Sequence, residues 1–85
     1  MKVLIPSPLV TYTQSREVQA NGATLEAVLG DLERQFPGIR FRMVDEQSRL
    51  RPHVRFFTNG RQVFDLQHAL QPGDELAIVQ ALSGG

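Results

Sequence analysis

The chain has 85 residues, 41% of them apolar and 21% charged, which makes one small domain of ordinary globular composition. Nine basic and nine acidic side chains cancel, so no global field draws it to nucleic acid or to an anionic membrane. The absence of cysteine excludes a disulfide scaffold, thiolate metal sites and a cysteine nucleophile, and His53 and His68 lack metal-ligand spacing.

The first apolar run, Val3-Leu4-Ile5, reads as a strand stopped by Pro6 and Pro8. It is too short and too proline-broken for a signal segment or a membrane span, so a soluble cytoplasmic protein is expected. A second, polar strand is predicted over Gln14 to Gln19, with Asn21-Gly22 as the turn that follows. The few residues between these strands suggest an antiparallel hairpin. Tyr12, beside Thr11 and Thr13, falls in a loop and receives no role.

Leu25, Val28, Leu29, Leu32 and Phe36 recur at helical spacing and form one apolar stripe. Thr24 precedes them as an N-cap, and Glu26 sits in the first turn, where the helix dipole favours negative charge. Asp31, Glu33 and Arg34 fall off the stripe, and Pro37-Gly38 ends it. Gly30 costs about 1 kcal/mol against alanine inside a helix, tolerable where it permits close packing. Ile39 to Val44 suits a short helix, and Asp45-Glu46-Gln47-Ser48 a polar turn.

Val54 to Thr58 reads as a strand, Asn59-Gly60 as a hairpin turn, and Val63-Phe64 as the return. Asp65 to Leu70 makes a connection, Gln71-Pro72-Gly73-Asp74 a turn, and Leu76 to Gln80 the last strand. The expected class is α+β: a mixed sheet with one main helix packed on one face. If the last strand returns beside the first, the order is compatible with a β-grasp domain over residues 1–81. A flexible tail of Leu82, Ser83, Gly84 and Gly85 follows. Two glycines at a chain end are often a frayed tail. They also lack Cβ atoms, so such a backbone can thread into a narrow site and present its carboxylate.

The body before that tail resembles the ubiquitin-like sulfur carriers, the family of the molybdopterin synthase small subunit and the thiamine sulfur carrier. The resemblance covers nearly the whole chain. It is carried by Phe36-Pro37-Gly38, by Val54-Arg55-Phe56-Phe57-Thr58-Asn59-Gly60, by Leu70 to Ile78, and by Ser83-Gly84-Gly85. The segment around Arg49-Leu50-Arg51 is closest to carriers serving cysteine or thiocarboxylate-metabolite synthesis, while Gln80-Ala81 stands where prolines commonly precede the tail.

The resemblance implies that an E1-like adenylyltransferase uses ATP to activate the Gly85 carboxylate. A sulfur donor enzyme then supplies the sulfur of a thiocarboxylate, which a downstream synthase consumes. On this reading the chain is a co-substrate that binds no cofactor or metal and supplies no catalytic group. Leu82, Ser83 and Gly84 enter the partner's active site, and the chain is already mature at Gly85.

Strand alternation supplies a docking face. With Val54, Phe56, Thr58, Leu76 and Ile78 turned to the helix, Phe57, Ala77 and Val79 form an outward apolar patch beside Leu82. The competing reading covers Phe57 with the 39–51 segment. Between positions 40 and 61, Arg40, Arg42, Arg49, Arg51, Arg55 and Arg61 stand against Asp45 and Glu46, a local excess of six minus two, or four, positive charges. That run is either a solvated surface or a face that steers an acidic partner. Other functions fit the same residues: a protein modifier joined to lysines through Gly85, a synthase subunit with Gly85 held in its active site, or a plain interaction module.

Overall fold

Residues 1–80 are described by the structure, a computed structural model. β1 (Lys2–Leu4) gives way at Pro6 to a 3-10 turn (Ser7–Leu9) and a one-turn helix, α1 (Val10–Thr13). The prolines therefore do more than stop a strand. Pro8 lies in the first turn of the 3-10 helix, where a missing N–H costs nothing. Leu9 and Thr13 of this excursion are buried. Gln14 closes it in the left-handed region at φ 61°, and β2 (Glu17–Gln19) returns antiparallel to β1. The antiparallel pairing matches the expectation; the short hairpin does not, and β2 is three residues long rather than six.

α2 (Leu25–Gln35) carries the predicted stripe, with Leu25, Val28, Leu29 and Leu32 fully buried and Phe36 half-buried. Its free N–H groups are all answered. Leu25 and Glu26 donate to the carbonyls of His68 and Leu66 at 3.0 and 2.9 Å, Ala27 to Thr24 Oγ1 at 3.2 Å, and Val28 to Thr24 O at 3.0 Å. The 65–70 connection thus serves as an external cap. Gly22 approaches this turn so closely that a Cβ there would lie 2.6 Å from Val28 N. Gly30, by contrast, is exposed with open space around it, so close packing is not its reason.

Asp31 is off the stripe yet buried. It accepts from Asn21 N at 2.9 Å, from Gln35 Nε2 at 3.2 Å and from the Arg34 guanidinium. Such partners are what a buried carboxylate requires. Beyond Gly38, at φ 96°, Ile39, Met43 and Val44 enter the core around a 3-10 turn at Arg40–Arg42, and a Val44–Leu50 bridge frames the 45–48 turn.

β3 (Val54–Thr58) and β4 (Arg61–Val63) are joined through Asn59 and Gly60, both at positive φ, as the Asn-Gly pair predicts. β5 (Glu75–Gln80) lies parallel to β1 and antiparallel to β3, giving a five-stranded mixed sheet in the order β2-β1-β5-β3-β4. The last strand is central and beside the first, the β-grasp arrangement. Between α2 and the sheet the core gathers Val3, Leu25, Leu29, Leu32, Phe56, Leu76 and Ile78.

Candidate functional site

The chain crosses the middle of the sheet on β5 and reaches Gln80 opposite Val54, at the end of β3 where Arg51 also bonds back, Val54 N donating to Arg51 O at 3.0 Å. The tail candidates Leu82, Ser83, Gly84 and Gly85 lie outside the described residues. Their root is fixed by two neighbouring strands: β1 pairs Leu4 with Ala77, and β3 pairs Phe57 with Ala77 and Arg55 with Val79.

Those registers build the outer face of the sheet. Phe56 and Thr58 are buried under the helix, so Phe57 between them points away from it. Across the strands Leu4, Ala77 and Phe57 stand in one row, all half-buried, with Gln62 at one end and Glu17 at the other. Val79, 47% exposed, occupies the next position along β5. The three patch residues named from the sequence are therefore neighbours. Leu4 is a fourth, invisible in the run Val3-Leu4-Ile5 until the parallel pairing with β5 is known. At the rim Lys2 Nζ lies 3.2 Å from Glu75 and 3.9 Å from Glu17, and the hydrogen bond to Glu75, with both carboxylates nearby, raises its pKa.

Phe41 and Phe64, 55% and 76% exposed, are more open than Phe57, and Phe64 lines a hollow with Arg55 and Gln62 at the β4 edge. Phe64 follows β4 instead of ending the return strand.

The six arginines do not share one surface. Arg40 is neutralised by Glu26, its Nη2 donating to both carboxylate oxygens at 2.9 and 2.8 Å. Arg61 pairs with Thr58 at the far end of β3 from Gln80. Arg42 and Arg51 lie near Gln80, Arg42 donating to the Tyr12 hydroxyl at 2.7 Å and Arg51 to the Phe41 carbonyl at 2.8 Å. Tyr12 thus positions a charged group. No group of three or more histidine or carboxylate side chains suited to a metal ion occurs among the described residues, and no helix there is long and apolar enough to cross a membrane.

A family model described as the ThiS family matches residues 3–85. The sulfur carrier protein CysO of Mycobacterium tuberculosis is 36% identical over 89 residues, covering 98% of this chain and 96% of that protein. Small archaeal modifier protein 3 of Haloferax volcanii is 35% identical over 66 residues, 74% of this chain and 71% of that one. Among solved structures, the Amycolatopsis orientalis BexX/CysO complex contains a chain that superimposes with a TM-score of 0.90 at 33% identity, covering 99% of this chain and 98% of that one.

Proposed function

This chain belongs to the ThiS family, and from that premise we propose that it is a sulfur carrier whose Gly85 carboxylate is adenylated by an E1-like enzyme and converted to a thiocarboxylate. The observation that carries the reading is the family match, which continues past the last strand through both terminal glycines. The sulfur-carrier name of a relative aligned over nearly the full length of both chains supports it.

The chemistry follows from the weakness of a carboxylate as an electrophile. One Gly85 carboxylate oxygen attacks the α-phosphorus of ATP, and pyrophosphate leaves. Hydrosulfide attacks the resulting acyl-adenylate, the acyl C–O bond breaks, AMP departs, and the thiocarboxylate stays on the chain. No oxidant or reductant is needed. The catalytic groups belong to the partners: the E1-like adenylyltransferase, a sulfur donor enzyme and a sulfur-accepting synthase. The Amycolatopsis relative, solved in complex with BexX, supports a carrier that works by docking.

In this reading Leu4, Phe57, Ala77 and Val79 form the apolar face on which the partner sits, while Leu82, Ser83 and Gly84 pass into its active site. Gly84 keeps that passage narrow, having no Cβ. Gly84→Val should fold normally and lose ATP–pyrophosphate exchange with the activating enzyme. Undiminished exchange by a folded variant refutes this role.

A second reading is favoured by the likeness to an archaeal modifier protein. The same acyl-adenylate can end in an isopeptide bond from Gly85 to a lysine. Higher-mass conjugates that vanish on removal of Gly85 would select it.

A further inference from the structure

Two shallow hollows meet near Gln80. One, of about 330 Å³, is lined by Tyr12, Arg42, His53 and Gln80 among others; the second, of about 230 Å³, is lined by Phe41, Arg42, Arg51 and His53. They share Arg42 and His53 and so form one groove. We infer that this groove is a carboxylate-binding site that receives an acidic side chain of the enzyme activating Gly85, an inference that rests on the carrier reading.

Each guanidinium in the groove is restrained from two sides. Arg42 uses Nε on the Tyr12 hydroxyl and lies 5.9 Å from the centre of that ring. Arg51 uses Nε on the Phe41 carbonyl and lies 4.6 Å from the Phe41 ring centre. Of the five N–H donors on each, the bond at Nε consumes one, and the outer fork makes no hydrogen bond among the described residues. Among the described residues, the arginines that form ion pairs are Arg34 and Arg40, and neither belongs to this groove. The nearby Asp45 turns its Oδ1 to Gln47 N at 2.8 Å and Arg49 N at 3.0 Å; the Arg51 charge adds a weaker, longer-range attraction to that carboxylate without forming an ion pair with it.

Position selects the occupant. Gln80 lines the groove, and Gly85 is five residues further on. Five extended residues reach at most about 18 Å, so an enzyme holding the Gly85 carboxylate lies within that distance of the groove. Covering two guanidinium groups that have no ion-pair partner among the described residues with a neutral surface would strip their hydration without return. An aspartate or glutamate matches the planar fork and restores it, whereas a phosphate ion needs no protein surface.

Titrating the isotope-labelled full chain with a hexaglutamate peptide, and separately with inorganic phosphate at equal ionic strength, tests the groove itself. Amide shifts concentrated around Arg42, Arg51, His53 and Gln80, and stronger with the peptide, are expected. Shifts spread evenly to Arg61, or stronger with phosphate, would overturn the inference.

Its link to activation is read from pyrophosphate exchange. Arg42→Glu and Arg51→Glu should each raise the KM for the carrier about fivefold or more at low salt, with kcat kept and the difference shrinking as salt rises. Arg61→Glu, with the same change of net charge, should not. Arg42→Gln and Arg51→Gln serve if a reversal unfolds the chain. An unchanged KM in a system that activates the wild-type chain sinks the inference. No activation of the wild-type chain sinks the carrier reading instead, and the titration still decides what the groove prefers.

Discussion

Phe56 and Phe57 are adjacent on one strand and should respond oppositely to truncation. Phe56 is fully buried, paired in register with Ile78 on one side and Val63 on the other. Phe56→Ala removes a ring from the centre of the core, at a cost of about 3–5 kcal/mol from lost transfer energy and the cavity left behind. At about 0.05–0.15 kcal/mol per residue, a domain of this length has roughly 4–13 kcal/mol in total. The variant therefore loses a large share of its stability, and its Tm should fall by about 12–40 °C. Phe57 is half-buried on the opposite face, so Phe57→Ala should cost only about 1 kcal/mol, near half the transfer energy of a fully buried ring. It should weaken docking on the activating enzyme instead. Urea titrations followed by far-UV circular dichroism, paired with the KM for the carrier, separate the two effects. Equal destabilisation by both, or a Phe57→Ala variant with unaltered KM, would refute the assignment of the outer face.

Gly22 and Gly30 should respond with opposite signs: Gly22→Ala drives a Cβ against the backbone of α2 and should cost about 1–3 kcal/mol, whereas Gly30→Ala should stabilise by about 1 kcal/mol, both measured by urea midpoint. Glu33 accepts from Gly38 N at 2.9 Å and Arg40 N at 3.0 Å, in that order the causes that hold its pKa below the usual 4.5. Because the folded state depresses this pKa, its contribution is complete above 4.5 and is lost as the pH falls below that value. Asp45 and Asp74, held below 3.8 chiefly by backbone N–H groups of Arg49 and Gln71, follow at lower pH. Glu33→Gln should flatten the acid limb of a Tm–pH curve, and an identical limb would discount the interaction.

Much of the fold was legible because its signals are local. The α2 stripe, the Thr24 cap and the Asn59-Gly60 turn each depend on residues within a few positions. The course between β1 and β2 was not. Pro6 and Pro8 read equally as strand breakers or as helix starters, and the choice is made by the burial of Leu9 and Thr13 against distant elements. Asp31 falls off the stripe, and its burial rests in part on Asn21, ten residues away in the loop before the helix, which periodicity does not show. For the site, period-two alternation placed Phe57, Ala77 and Val79 on one face, but Leu4 joins them through a parallel pairing across more than seventy residues. The tie between Tyr12 and Arg42, thirty residues apart, carries no sequence signal at all.

The central claim is that sulfur comes to rest on Gly85. The protein should be incubated with its E1-like enzyme, ATP and a sulfur source, alkylated with a thiol-specific reagent, and read by intact and fragment mass. With no cysteine in the chain, any label reports a newly made sulfur nucleophile. The carrier account predicts an ATP-dependent label confined to the C-terminal residue. An unlabelled chain, in a reaction where its adenylate forms, would contradict it.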